Sequence, residues 1–405
     1  MTAREAQSTL SRRTMLKRSL QVASGVAIAL AGGLVYRALQ EDIFSPFDGP
    51  AYEPWESWKT DPMTFPLATI QMAILAANPH NTQPWLFRVN QHSVEVFADK
   101  GRHLGSVDPF RREMQIGLGC AIENMTLAAK AHGYDSTVIP EQGILPKKPE
   151  LKGMEKVATV LFKLGVAEQS ALYQSIPKRH TDRNPYEANR AIPTDLIQAF
   201  YAECRSYGCR LNIFTEGTAR DSVDSLMNDA THAIVEDEEM VMDSHHWFRT
   251  SNEHVQLYRD GPNLDAAGLS PTICALAKIF PDPSPQEGHR FWEKATKESH
   301  LASAPALGLI SIHERYSKSE NLAVGRVWQR LHLMAAKAGI SMHPMNQPIE
   351  WIDRQRQLSL PNLAEKRLFS LIGDKNWKPT FCFRMGYPTR LVVPSPRRAL
   401  SQSLI

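Results

Sequence analysis

The chain lacks most of what would make it a disulfide, metal or nucleic-acid protein. Its five cysteines, Cys120, Cys204, Cys209, Cys274 and Cys382, are scattered, with no CxxC pair and no Cys/His set at zinc spacing. Neither a disulfide framework nor a structural metal is expected from that pattern. A formal charge of +3 is too small for a phosphate-backbone footprint, so no nucleic-acid partner is expected. There is no separate nucleotide fingerprint, and no Ser-His-Asp or Cys-His arrangement for nucleophilic catalysis. His245, His246 and His254 cluster in "SHHWFRTSNEH" without clear carboxylate support and read as surface residues rather than metal ligands. What is present is ordinary globular composition, 42% hydrophobic and 22% charged over 405 residues. That allows a large core and either two domains or one duplicated unit.

The N-terminus reads as an address. "SRRTMLK", with Arg12 and Arg13, precedes an apolar stretch from Leu20 to Val35. This is the twin-arginine export pattern; a basic amphipathic tail is the plainer alternative. Ala29-Leu30-Ala31 could serve as a cleavage site, but it lies inside the apolar run, so an uncleaved membrane anchor stays open as well. The run is slightly short of the roughly 20 residues of a confident span. We expect residues 1–40 to be a signal or anchor that brings the chain to the periplasm or the outer face of the inner membrane. Residues 41–64, rich in Pro and aromatics and without period, read as a linker wrapped on the body.

Two stretches repeat. "GCAIENMTLAAKAHG" and "GRVWQRLHLMAAKAG" both fit G-x7-L-x-A-x3-G, pairing Gly119, Leu127, Ala129 and Gly133 with Gly325, Leu333, Ala335 and Gly339. Both read as long helices ending at a glycine cap, with a small-residue face that admits another helix. Chance likeness of two Ala-rich helices is the alternative to tandem duplication. Around them lie an apolar helix from Ala68 to Ala77, strands in "NTQPWLFRVN" and "SVEVFAD", a helix "IPTDLIQAFYAECRSYG", and strands in "CRLNIFTE", "APALGLISIH" and "PTFCFRMGYP". The pattern predicts an α+β fold of two fused halves, residues 65–175 and 176–405, packed as an internal pseudo-dimer.

Three polar stretches stand out. In "ILAANPHNTQPWLF" a polar tip, Asn81 to Trp85, interrupts an apolar run. Trp85 reads either as a ligand wall or as a core anchor of its strand. In "PKRHTDRNPY", Arg179, Thr181 and Arg183 alternate, so an extended backbone puts two guanidinium groups and a hydroxyl on one face. Such a face suits a phosphate; taken alone, the triplet reads as a solvated basic loop. "PSPRRAL" adds Arg397 and Arg398.

Together, "ANPHNTQPW", "RREMQIGLGCAIENMTLAAKAHG", "KRHTDRNPY", "FRMGYP" and "PSPRRAL" resemble, in order over roughly residues 65–400, the nitroreductase superfamily and within it the Acg family of tandem-fused chains. The resemblance implies a nitroreductase-like fold with FMN between the halves. Arg179, Thr181 and Arg183 would grip the phosphate, Asn81, Gln83, Pro84 and Trp85 would reach the flavin, and Arg397 and Arg398 would add a basic pair. Each of these motifs occurs once, so one FMN per chain is expected. The implied activity is reduction of small electron-poor acceptors by a ping-pong route, with NAD(P)H or a periplasmic or membrane donor. Storage or sequestration of FMN is the alternative. Residues 257–271 would form a lid, in which Asn263 and Asp265 are expected to touch a ligand.

Overall fold

The computed structural model describes residues 33–43 and 47–405. Two four-stranded antiparallel sheets organise the chain. The first comprises β1 (Trp85–Asn90), β2 (Ser93–Asp99), β3 (Tyr134–Pro140) and β4 (Met154–Leu164), in the order β1-β2-β4-β3. The second comprises β5 (Arg210–Phe214), β6 (Ala306–Ile312), β7 (Ser341–Pro344) and β8 (Lys378–Gly386), in the order β5-β6-β8-β7. Adding four to each strand number converts one order into the other. The register even shifts in the same place, within the central pair of each sheet, at Val96/Phe97 and at Ile310/Ser311. The architecture is α+β and duplicated.

Local sequence explains the elements. All seven residues of β6, "ALGLISI", are buried, as a continuous apolar run requires. β3, "YDSTVIP", lies at a sheet edge and alternates exposed with half-buried residues. The expectation above contained no β3, β4 or β7. β7 has only four residues, and β3 is too polar on one face to stand out.

The repeated helices, Arg112–Ala131 and Lys318–Lys337, occupy equivalent positions, each leading from the second strand of its sheet to the third. Asp108 accepts the backbone N–H groups of Glu113 and Met114 at the start of one. Ser317 accepts that of Glu320 at the start of the other. Gly133 and Gly339 follow them in the left-handed region, at φ +85 and +71. The two helices cross at the repeated glycines. A β-carbon on Gly119 would run into the Leu322 carbonyl, and one on Gly325 into the Ile116 carbonyl. Each glycine thus meets the partner helix's backbone, the self-complementary contact of a two-fold pair. The largest hydrophobic cluster is continuous across this contact, from Ile70 and Trp85 in the first half to Trp328 and Phe383 in the second.

The halves differ in their connections. Helix Leu67–Ala73 reaches β1 through residues 74–84, whereas helix Thr194–Ser206 reaches β5 through residues 207–209 only. β1 turns into β2 through residues 91–92, whereas residues 215–305 separate β5 from β6. The C-terminus returns to the first sheet, where Leu404 bridges Phe87 and the Ile405 N–H donates to the Phe87 carbonyl at 3.0 Å. Within residues 47–64, helix Pro54–Thr60 buries Trp55. Arg12 and Arg13 lie outside the described residues. Residues 33–40 are helical, and among the described residues no helix is long and apolar enough to cross a membrane.

Candidate functional site

The polar tip is built under backbone strain. His80, Asn81 and Gln83 have φ of +44, +50 and +51, a left-handed region that costs non-glycine residues of order 1–3 kcal/mol each. Side-chain bonds hold it there. The Gln83 N–H donates to Asn78 Oδ1 at 2.7 Å. Asn81 Nδ2 donates to the Pro396 carbonyl at 2.9 Å, and its Oδ1 accepts from Arg397 Nη1 at 2.7 Å. The strain aims the tip at the C-terminal arm and at the segment between the halves.

That segment is extended, as its alternation requires. Thr181 bridges Met342 beside β7, and the Asp182 N–H donates to the Met342 carbonyl at 3.3 Å. A polar cavity of about 30 Å³ opens between segment, tip and arm. Arg179, Thr181 and Arg183 line it from the second half, Asn78 and Asn81 from the first, and Arg397 from the arm. Trp55 forms a further wall, its ring 4.5 Å from that of His180 and 4.7 Å from the Arg397 guanidinium.

The electrostatics are unbalanced. Arg179 and Arg397 are almost wholly buried, and neither has a carboxylate partner among the described residues. Burial pushes the Arg179 guanidinium down to about 10, and burial together with the nearby Arg179 charge lowers Arg397 well below its ordinary value. Arg179 Nη2 donates to the Leu75 carbonyl at 3.0 Å and Arg397 Nη2 to the Ala76 carbonyl at 3.1 Å. Arg179 Nε, Arg397 Nε and His180 Nδ1 are buried without a hydrogen-bond partner. Two desolvated cations with unused donors have the chemistry that suits a dianion. The phosphate of FMN fits that chemistry.

Four of the expected contacts lie elsewhere. Gln83 is fully buried; its Nε2 donates to the Arg259 carbonyl and its Oε1 accepts from the Arg398 N–H, each at 2.8 Å. It clamps neighbouring chain segments together. Pro84 is buried in the turn, where its carbonyl accepts from the Asp99 N–H at 2.8 Å. Trp85 is a core anchor of β1, with no exposed surface. Arg398 Nη2 donates to the Gln83 and Trp85 carbonyls at 3.1 and 3.2 Å rather than into the cavity.

Residues 259–268, the cover, pack against two of the lining residues, Asn81 and Arg183. The Gly261 N–H donates to the Asn81 carbonyl at 3.1 Å, and Arg183 Nη1 to the Ala266 carbonyl at 3.2 Å. Gly268, at φ +79, lies against the Arg183 carbonyl so closely that a β-carbon would collide with it. Asp260 is held between Arg249, at 2.6 Å, and Arg102 of the first half. Asn263 and Asp265 do not face a ligand. Asn263 Nδ2 donates to the Tyr52 hydroxyl at 3.0 Å, and Asp265 pairs with Lys278 at 2.8 Å. Asn263 ties the cover to Tyr52, and Asp265 ties it to helix Pro271–Ile279 of the same connection. Among the described residues no group of three or more His, Cys, Asp or Glu side chains is placed to hold a metal ion.

Sequence reading missed Trp55, Asn78 and His180. Trp55 sits in the aperiodic 41–64 stretch, and His180 lies between the two residues of the motif that draw the eye.

The sequence is 26% identical over 339 residues to a Mycobacterium tuberculosis protein carrying the provisional name NAD(P)H nitroreductase Rv3131; the match covers 82% of this chain and 89% of that one. A stretch of 71 residues is 34% identical to the M. tuberculosis protein Acg, provisionally named as an NAD(P)H nitroreductase too, covering 18% of this chain and 22% of that one. Among solved structures, the FMN-dependent nitroreductase NfnB from Mycobacterium smegmatis in complex with NADPH aligns at 16% identity with a TM-score of 0.36, covering 57% of this chain and 96% of its own. No family model matches the chain.

Proposed function

We propose that the chain is an exported FMN-dependent oxidoreductase that reduces small electron-poor acceptors, with NAD(P)H or a periplasmic or membrane donor supplying electrons. One observation carries this reading. Two buried, uncompensated guanidinium groups converge with Thr181 and Asn81 where the halves meet. The names of the relatives support the activity class and the donor class. The twin-arginine pattern at Arg12 and Arg13 supports export.

Bound FMN supplies the two-electron chemistry. Arg179 and Arg397 would hold its phosphate, Thr181 would add a hydroxyl, and Asn81 fixes Arg397 in place. Residues 259–268, bonded to Asn81 and Arg183, would screen the bound group from water. Donor and acceptor would enter in turn where this cover lifts, which is a ping-pong order.

The test is the purified protein. FMN released per polypeptide should be one, and electrons from a reductant should reach a nitroaromatic or quinone acceptor. Arg179→Ala should lose a charge-assisted bond worth about 1.5–3 kcal/mol, or roughly ten- to a hundredfold in FMN affinity. Riboflavin, without the phosphate, should be indifferent to the change. Equal weakening of both ligands would assign Arg179 to the fold instead.

The cover favours a second reading, FMN storage with little turnover. Asn263 and Asp265, the polar groups expected to touch a substrate, are instead engaged by Tyr52 and Lys278. Reduction slower than minutes with every donor would establish storage.

A further inference from the structure

Helix Pro271–Ile279, just after the cover, is inside out. Ile273, Leu276 and Phe280 follow at i, i+3 and i+7, a spacing that places them on one face. That face points to solvent, with the three side chains 55%, 48% and 56% exposed. The helix's single charged residue, Lys278, is buried, paired with Asp265 at 2.8 Å and donating to the Glu41 carbonyl at 3.2 Å. A soluble helix normally has the opposite arrangement.

The neighbouring helix continues the pattern. Residues 33–40 dock beside it through Arg37, whose Nε donates to the Lys278 carbonyl at 3.1 Å, and they bury Ala38. Leu34, Val35, Tyr36 and Leu39 face outward, all about half exposed or more. The chain that leads into this helix, Leu20 to Gly32, contains no charged residue. An apolar segment therefore arrives directly at an apolar surface made by two cross-linked helices. Exposed apolar groups in contiguous patches mark an interaction surface, and a helix apolar on its outer face suits the headgroup–acyl boundary.

We infer that the outward faces of residues 33–40 and of helix Pro271–Ile279 seat in the surface of a lipid bilayer. The helices lie on the membrane; the inference does not require either to span it. It extends the export reading by choosing the membrane face over the free periplasm, and rests on that reading only for which membrane is met. The apolar run from Leu20 is the argument for lipid over a second copy of the chain, since it delivers the patch to a bilayer.

The experiment uses the full chain with an environment-sensitive fluorophore at Leu276→Cys in a Cys274→Ser background. Cys120, Cys204, Cys209 and Cys382 are buried and stay unlabelled. Vesicles of phosphatidylethanolamine and phosphatidylglycerol should raise the emission several-fold and shift it to the blue. The same label at Ile273→Cys should repeat this, and at the exposed Lys375→Cys should not respond. Flotation with vesicles but no response at position 276 would overturn the inference, leaving the N-terminal segment as the sole anchor. A blue emission that needs no vesicles overturns it too. If it grows with protein concentration, a second copy covers the stripe; if it is constant, residues 20–32 do. All three outcomes are read in purified protein, so failure here is distinct from failure of export or of FMN binding.

Discussion

The same helix position does opposite things in the two halves. The repeat pairs Glu123 of the first central helix with Gln329 of the second. Gln329 Oε1 accepts from the Ala77 N–H at 3.2 Å and Nε2 donates to Asn124 Oδ1 at 2.8 Å, supporting the base of the strained tip. Glu123 accepts from Arg326 at 2.8 Å, from Arg330 at 2.9 Å and from the Tyr207 hydroxyl at 3.2 Å. On the tip side Arg179 and Arg397 have no carboxylate partner among the described residues, while on the other side Glu123 pairs with both Arg326 and Arg330. The connections agree, since eleven residues, 74–84, build the tip and only three, 207–209, stand in its place. Duplication copied the scaffold, and one of the two junctions was then filled by an ion cluster. That difference supports the proposal of a single FMN per chain.

Acid should produce the largest contrast. The most buried histidines, His300, His332 and His343, all belong to the second half. Burial, then the neighbouring Arg384, Arg183 and Arg179 charges, holds all three well below the ordinary value. Below pH about 6.5 the unfolded chain binds protons that the folded chain refuses, so stability is full above that pH and falls beneath it. Each histidine loses at most about 1.4 kcal/mol per pH unit, or about 4 for the three. Hydrogen exchange between pH 7 and 5 should show the second half opening first. Equal loss of protection in both sheets would break the contrast.

The glycine crossing should come next. Gly325→Ala forces a methyl group into the Ile116 carbonyl, and Gly119→Ala into that of Leu322; neither backbone can step aside cheaply. A loss of about 3 kcal/mol is expected for each. Gly339→Ala, with nothing near its absent side chain but a φ of +71, should cost only about 1 kcal/mol. Urea titrations compare the three. If Gly325→Ala costs no more than Gly339→Ala, the halves do not meet backbone to backbone.

These positions also show what the sequence made legible. The crossing was readable because close approach demands small residues, and the demand repeats at one spacing. Asn81, Arg179, Thr181, Arg183 and Arg397 were readable as a set because their chemistry is polar against apolar flanks, and the structure brings them to one cavity. Gln83, Pro84, Trp85 and Arg398 share those motifs yet turn inward, because the left-handed turn at Gln83 and the core under β1 decide their direction, and neither is visible in residue type. The contacts made by Asn263 and Asp265 were hidden for a similar reason. Their partners, Tyr52 and Lys278, are tertiary neighbours with no local signature.

The filled junction invites a smaller test. Glu123→Gln keeps shape but leaves Arg326 without a carboxylate and Arg330 with Glu203 alone. The partners are about a quarter exposed, so the loss should be about 2 kcal/mol rather than that of a fully buried pair. FMN per chain should remain one, because the three-residue connection still offers no tip. A second equivalent of FMN would mean that charge alone, and not the connection, had closed that junction.

The smallest expected effect bears on the widest difference between the halves, the 215–305 insertion that supplies the cover. Asp260 joins this insertion to the first half by accepting from Arg249 and Arg102 at once. Asp260→Asn keeps one acceptor oxygen and removes the charge. The latch should weaken by about 1 kcal/mol, which raises the open fraction roughly fivefold. Arg179 and Arg397 are untouched, so FMN affinity should barely change. If the insertion seals a store, reduction by a bulky donor is limited by opening and should quicken about fivefold in stopped flow, while small dithionite reacts at its former rate. If the insertion belongs to a working enzyme whose cover opens faster than chemistry, the donor rate should stay flat or fall. A variant that lost FMN outright would show instead that Asp260 holds the cavity itself, and that the insertion is wall rather than cover.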